Sequence, residues 1–214
     1  WNNLRQTSGF KGTYWNRYKA YLSGTKKWSQ KTIEKSINEP TDFVMNCISN
    51  PNSGVPEKSY GAVFGYVQAG KTANYIGLIN KAVDAGYKII IVLAGMHNKL
   101  RSQTQMRIDE EVLGFETSIE YLRQKAGLVP SIIGVGTLNF KMDKSIEALT
   151  SRDEKGDFTK GRAGVSRQYD QPKIFIVKKQ SKVLQYVYDY LSKNHAAVHG
   201  PDGTSLFPCD YSLL

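Results

Sequence analysis

The chain reads as an α/β protein, a parallel sheet flanked by helices and preceded by a small helical segment. Three observations lead there. From residue 60 onward, apolar runs alternate with stretches of helical spacing, the order that specifies parallel strands joined by helices. The clearest run, Ile89-Ile90-Ile91-Val92-Leu93, is apolar at every position, as strands covered on both faces are. A glycine-rich turn joins the first run, residues 61–64, to the first helix of this pattern.

In order along the chain, residues 13–22, 29–37 and 41–48 each place Ser or Thr as an N-cap ahead of helix-spaced apolar residues. Residues 50–56 are dense in turn formers and mark a boundary. The expected organisation is a helical segment over 1–58 and a lobe over 59–214. Within the lobe the pattern predicts strands at 61–64, 88–94, 131–135 and 174–177, and helices at 71–85, 98–112 and 181–191. Residues 141–170, rich in charge and glycine, fit neither period and are expected to form an exposed insertion. The last residues, Tyr211-Ser212-Leu213-Leu214, read as the start of a further strand.

The 214 residues suffice for one core, and 40% apolar with 22% charged residues exclude a disordered chain. The longest apolar stretch, residues 89–96, is far below the roughly 20 residues of a membrane span. Two cysteines, Cys47 and Cys209, are too few for a disulfide scaffold, and no signal peptide opens the chain, so a cytoplasmic setting without a membrane partner is expected. The net charge of +10 is uneven: +5 over residues 1–60, +2 over 61–140, +5 over 141–182 and −2 over 183–214. Such a surface attracts polyanions by releasing their counterions, and DNA is the natural candidate.

Gly65-Tyr66-Val67-Gln68-Ala69-Gly70-Lys71-Thr72 satisfies G-x-x-x-x-G-K-[ST] in full. Glycines let the backbone wrap phosphates, and the helix that follows turns its N–H groups toward the same anion. Gly65, Gln68, Ala69, Gly70, Lys71, Thr72 and Ala73 are the candidate nucleotide-binding residues. Lys71 would bridge the terminal phosphates of ATP, and the Thr72 hydroxyl would hold Mg²⁺. Hydrolysis also requires a carboxylate at the end of a neighbouring strand. Asp109-Glu110-Glu111 lies instead on a helical pattern and reads as a solvated face, so the missing acid is expected beyond residue 214.

The loop with Ala73-Asn74-Tyr75, then Lys81-Ala82-Val83-Asp84-Ala85-Gly86-Tyr87, and then the sequence from Ile91 to Asp109 resemble the Z-one domain endonucleases of bacteria and phages. Their N-terminal half is similar to superfamily-two helicases. Ala69 stands where that family usually has Ser. The resemblance implies a RecA-like P-loop NTPase lobe, an ATP-driven motor of a DNA helicase or translocase within a restriction or phage-defence endonuclease. It also implies a downstream second motor lobe and nuclease region. It places Arg101, Gln103 and Thr104 where such motors grip the nucleic-acid backbone, and Lys178 with Lys179, after another strand, supply a second basic pair on that edge.

Two other readings use the same residues: a P-loop phosphotransferase acting on a small molecule, and a non-catalytic basic module that binds nucleic acid. Phe10-Lys11, Tyr14-Trp15, Arg17-Tyr18-Lys19, Tyr21 and Lys26-Lys27-Trp28 interleave aromatics with cations, a pattern that suits stacking on single strands, but the helical spacing of Tyr14, Tyr18, Tyr21 and Leu22 explains them better as a packing face. His195 and His199 have a zinc-compatible spacing but no third ligand nearby.

Overall fold

The structure is a computed structural model describing residues 1–52, 59–64, 70–119, 129–160, 171–194, 198–199 and 205–206. Helices α1 (Asn2–Arg5), α2 (Thr13–Gly24), α3 (Gln30–Ile33) and α4 (Glu39–Cys47) open the chain, with a π-helical turn at Glu34–Asn38 between the last two. α5 (Lys71–Ala85), β1 (Ile89–Leu93) and α6 (Asn98–Ile108) follow, and α6 runs into a second π-turn at Asp109–Leu113. After a 3₁₀ turn at Gly134–Thr137 come β2 (Glu147–Ala148), β3 (Lys173–Val177), α7 (Ser181–Asn194) and the short pair β4 (Val198–His199) and β5 (Ser205–Leu206).

β1, β3 and β2 form a parallel sheet in that order, with Ile89 opposite Lys173 and Leu93 opposite Val177. Alternate residues face opposite layers. Ile90, Ile174 and Ile176 join the core built by α2 and α5, whereas Ile89, Phe175 and Val177 join Phe158 and the Val183, Val187, Tyr190 and Leu191 face of α7. Helices therefore cover both faces, which is why β1, and β3 after Lys173, are apolar. Phe158, Phe175 and Tyr190 meet edge to face, with centroids 5.2–5.7 Å apart.

The N-terminal helices pack within this core. Tyr18, Leu22, Ile33 and Ile37 share a cluster with Ile76, Ile79 and Val83 of α5. Gly77 lets α5 approach: a Cβ there would lie 2.8 Å from Ile37 Cγ2 and 3.4 Å from the Trp15 ring. Asp84, near the end of α5, accepts the backbone N–H groups of Tyr14 (3.0 Å) and Trp15 (2.8 Å), so a residue 70 positions away caps α2. Ser29 caps α3 as its spacing predicts, accepting from Thr32 N at 3.1 Å.

Several expectations are corrected. Thr41 is no N-cap; it is buried inside a helical run, its hydroxyl donating to Ile37 O at 2.6 Å. Residues 61–64 form no strand: no ladder pairs them, and Tyr60 and Phe64 are more than 90% exposed. An apolar run becomes a strand only beside a partner, and the neighbour of β1 is β3. At 131–135 only Ile132 bridges, antiparallel to Phe115, before the 3₁₀ turn. Gly134 has φ 50°, and a Cβ on Gly136 would strike Gly114 O, so the backbones cross there too closely for a ladder. The described part of 141–170 is no loose insertion, because β2 extends the sheet and Ile146, Ala148, Thr150 and Phe158 are buried. Residues 211–214 lie outside the described residues.

Candidate functional site

The connection from α5 to β1 is only Gly86-Tyr87-Lys88, so the two run antiparallel and α5 begins at the carboxyl end of the sheet. α6 begins on that edge as well, five residues after β1 ends. Lys178 and Lys179 follow β3 directly, and the strands stay joined beyond their ends, Ala94 N donating to Val177 O (2.9 Å) and Lys179 N to Gly95 O (2.7 Å). Open α/β sheets bind ligands along this edge.

Gly70 is the N-cap of α5, with φ 74° and ψ 18°, a left-handed conformation that glycine adopts without strain. Lys71, Thr72 and Ala73 make up the first turn, with Lys71 exposed and Ala73 buried. No acidic residue lies in that turn. The first turn of α5 thus combines a left-handed glycine cap, the positive end of the helix and a lysine. The residues present fit a bound phosphate. Gly65, Gln68 and Ala69 lie outside the described residues.

The nucleic-acid candidates divide. Gln103 and Lys179 are exposed, and Thr104 is partly so, its hydroxyl bonding back to Leu100 O at 3.0 Å. Lys178 is 18% exposed and faces Asp157 Oδ2 at 3.7 Å. Arg101 is fully buried, and its guanidinium donates to Asp153 O while Ser102 Oγ donates to Arg152 O. α6 thus turns Arg101, Ser102, Gln105 and Ile108 inward to clamp the segment after β2. Arg101 does not belong to the exposed basic edge.

The acidic cluster is likewise not a solvated face. Asp109 is fully buried, receiving Gln105 Nε2 (3.0 Å), Thr117 N (2.9 Å) and Arg152 Nε (3.1 Å). Burial dominates these bonds and raises its pKa to about 6. The π-turn widens the helix so that Glu110 and Glu111 both reach α2, where Tyr21 donates to Glu110 and Tyr18 to Glu111. Burial raises the Glu110 carboxyl, but Tyr21 and Lys26 outweigh it and leave the group below its ordinary value. No group of three or more His, Cys, Asp or Glu side chains suited to a metal occurs among the described residues.

Sequence reasoning missed the Arg107–Glu111 pair, at 2.7 Å, which lies beside the first turn of α5. Its four-residue spacing was a usable signal. His195 lies outside the described residues, and His199 lies in β4. No helix among the described residues is long and apolar enough to cross a membrane. Compared with protein-family models, curated proteins and solved structures, the chain matches none.

Proposed function

We propose that the chain is the ATP-binding, RecA-like lobe of a DNA-directed motor of the helicase or translocase kind. The reading rests on one observation: a complete phosphate-loop signature whose second glycine is left-handed and caps a 15-residue helix with Lys71 and Thr72 in its first turn. Lys71 would meet the terminal phosphates, where the transferred charge develops, and Thr72 would hold Mg²⁺. The metal would neutralise the phosphates and polarise the terminal phosphorus. Backbone N–H groups at the start of α5 would orient the nucleotide.

Lys178, Lys179, Gln103 and Thr104 are the proposed nucleic-acid contacts, on the edge that carries the loop. A restriction or phage-defence endonuclease, with a second motor lobe and a nuclease region, is the setting in which the reading places this lobe. Titration of labelled ATP with Mg²⁺ against the wild type and Lys71→Ala tests it. Binding that falls at least tenfold in the variant is expected, and equal affinities would sink the assignment.

A further inference from the structure

One hydrogen-bonded path leads from the first turn of α5 to the exposed face of α6. Tyr18, buried in α2, places its hydroxyl 3.3 Å from Ala73 O and 3.1 Å from Glu111 Oε2. Glu111 is 1% exposed, and its other oxygen receives Arg107 at 2.7 Å. The Arg107 side chain is 44% exposed. Lys99, Gln103 and Arg107 recur every four residues on α6, so the arginine shares a stripe with two exposed polar side chains.

We propose that Arg107 is a nucleic-acid phosphate contact whose release from Glu111 is controlled, through Tyr18, by nucleotide at the phosphate loop. The inference rests on the ATP-binding reading above. A guanidinium fork fits a phosphate as well as it fits a carboxylate, so Arg107 has two competing partners, one inside the protein and one on a polyanion. Tyr18 carries a single hydroxyl proton, which its geometry shares between Ala73 O and Glu111. When the first turn of α5 draws toward bound phosphates, Ala73 O recedes and the Tyr18 hydroxyl donates its hydrogen bond to Glu111 alone. A better-satisfied carboxylate holds Arg107 less tightly, and the arginine becomes available to DNA. Glu111 is fixed for this exchange by its own backbone, since Asn80 Nδ2 of α5 donates to Glu111 O at 3.3 Å. Arg107 is paired with Glu111 in this structure, and its second arrangement, on a nucleic-acid phosphate, would complete the two-state element that coupling between sites requires.

The test is fluorescence anisotropy of a labelled single-stranded oligonucleotide over a salt series, with and without a non-hydrolysable ATP analogue and Mg²⁺. In the wild type the analogue should tighten DNA binding about fivefold, and DNA should tighten binding of the analogue by the same factor. With the analogue present, Arg107→Gln should lower the slope of log affinity against log salt by about 0.7 and lose the nucleotide effect. Tyr18→Phe should show the slope of the nucleotide-free wild type with and without the analogue, and so lose the nucleotide effect, with both ligands still binding. If Tyr18→Phe does not fold, Arg107→Lys carries the test: charge and slope persist, while the nucleotide effect shrinks with the lost fork. An unchanged slope in Arg107→Gln, or a nucleotide effect surviving in Tyr18→Phe, overturns the proposal. Wild-type protein that binds ATP through Lys71 but ignores it in DNA binding overturns this inference alone. Wild-type protein that binds no ATP overturns the underlying reading too.

Discussion

Asp84 and Asp109 are carboxylates held away from water by different partners. Burial lifts both pKa values from 3.8 to about 6, against backbone bonds to Asp84 and side-chain and backbone bonds to Asp109 that pull the other way. Between pH of about 4 and about 6 the unfolded chain loses these protons while the folded chain keeps them. Their contribution to stability therefore falls as pH rises through that window. Urea unfolding of the wild type and Asp84→Asn at several pH values checks this, with a shallower pH dependence expected in the variant. Arg101 shows why residue-level function was only partly legible. The family resemblance implied an exposed phosphate contact there, but nothing local in the sequence reveals that the segment after β2 closes over it. Arg101→Ala should destabilise the fold by about 2–4 kcal/mol through lost packing and a lost buried bond. It should leave the salt dependence of DNA binding unchanged, and a flattened slope would restore the arginine to the surface role.

At the scale of elements, helices were read more faithfully than strands, because a helix satisfies its backbone locally and a strand needs a neighbour. α5 starts and stops where spacing and flanking glycines put it, at Gly70 and Gly86. The run at 61–64 had strand composition without a partner, and that at 131–135 found only a single bridge, Ile132 to Phe115. π-turns leave no clear signature in periodicity, so the inward rotation of Glu110 and Glu111 could not be foreseen. α5 also carries a sharp packing prediction. Ala at position 77 would favour the isolated helix by up to about 1 kcal/mol, but its methyl would press on the stiff branched side chain of Ile37. The expected net effect of Gly77→Ala is a loss of about 1–2 kcal/mol, measured by denaturant unfolding. A gain in stability would show that α5 has room to move.

For the molecule as a whole, the alternation of apolar runs with helical spacing anticipated a mixed α/β core, while the burial of particular cations was hidden from composition and charge. The basic edge left after Arg101 is removed from it consists of Lys178 and Lys179, with the α6 stripe beside them. Replacing both lysines by Ala should flatten the salt dependence of DNA binding by about one to two units and leave ATP affinity nearly unchanged. Titrations with oligonucleotides of several sequences would show this, and a loss confined to one sequence would indicate base readout instead.

The docking of the first four helices on α5 bears on how the protein can be divided. Lys81 of α5 is fully buried, 2.6 Å from Asp42 and 4.3 Å from the centre of the Trp15 ring, and it also donates to Asn38. A fragment beginning at residue 59 would strip this cation of its partners and uncover Ile76, Ile79 and Val83 in one stripe. Such a piece would aggregate before any nucleotide could be offered to it. Helix α5 and the leading 48 residues consequently form one packing unit, to be cloned or transplanted together.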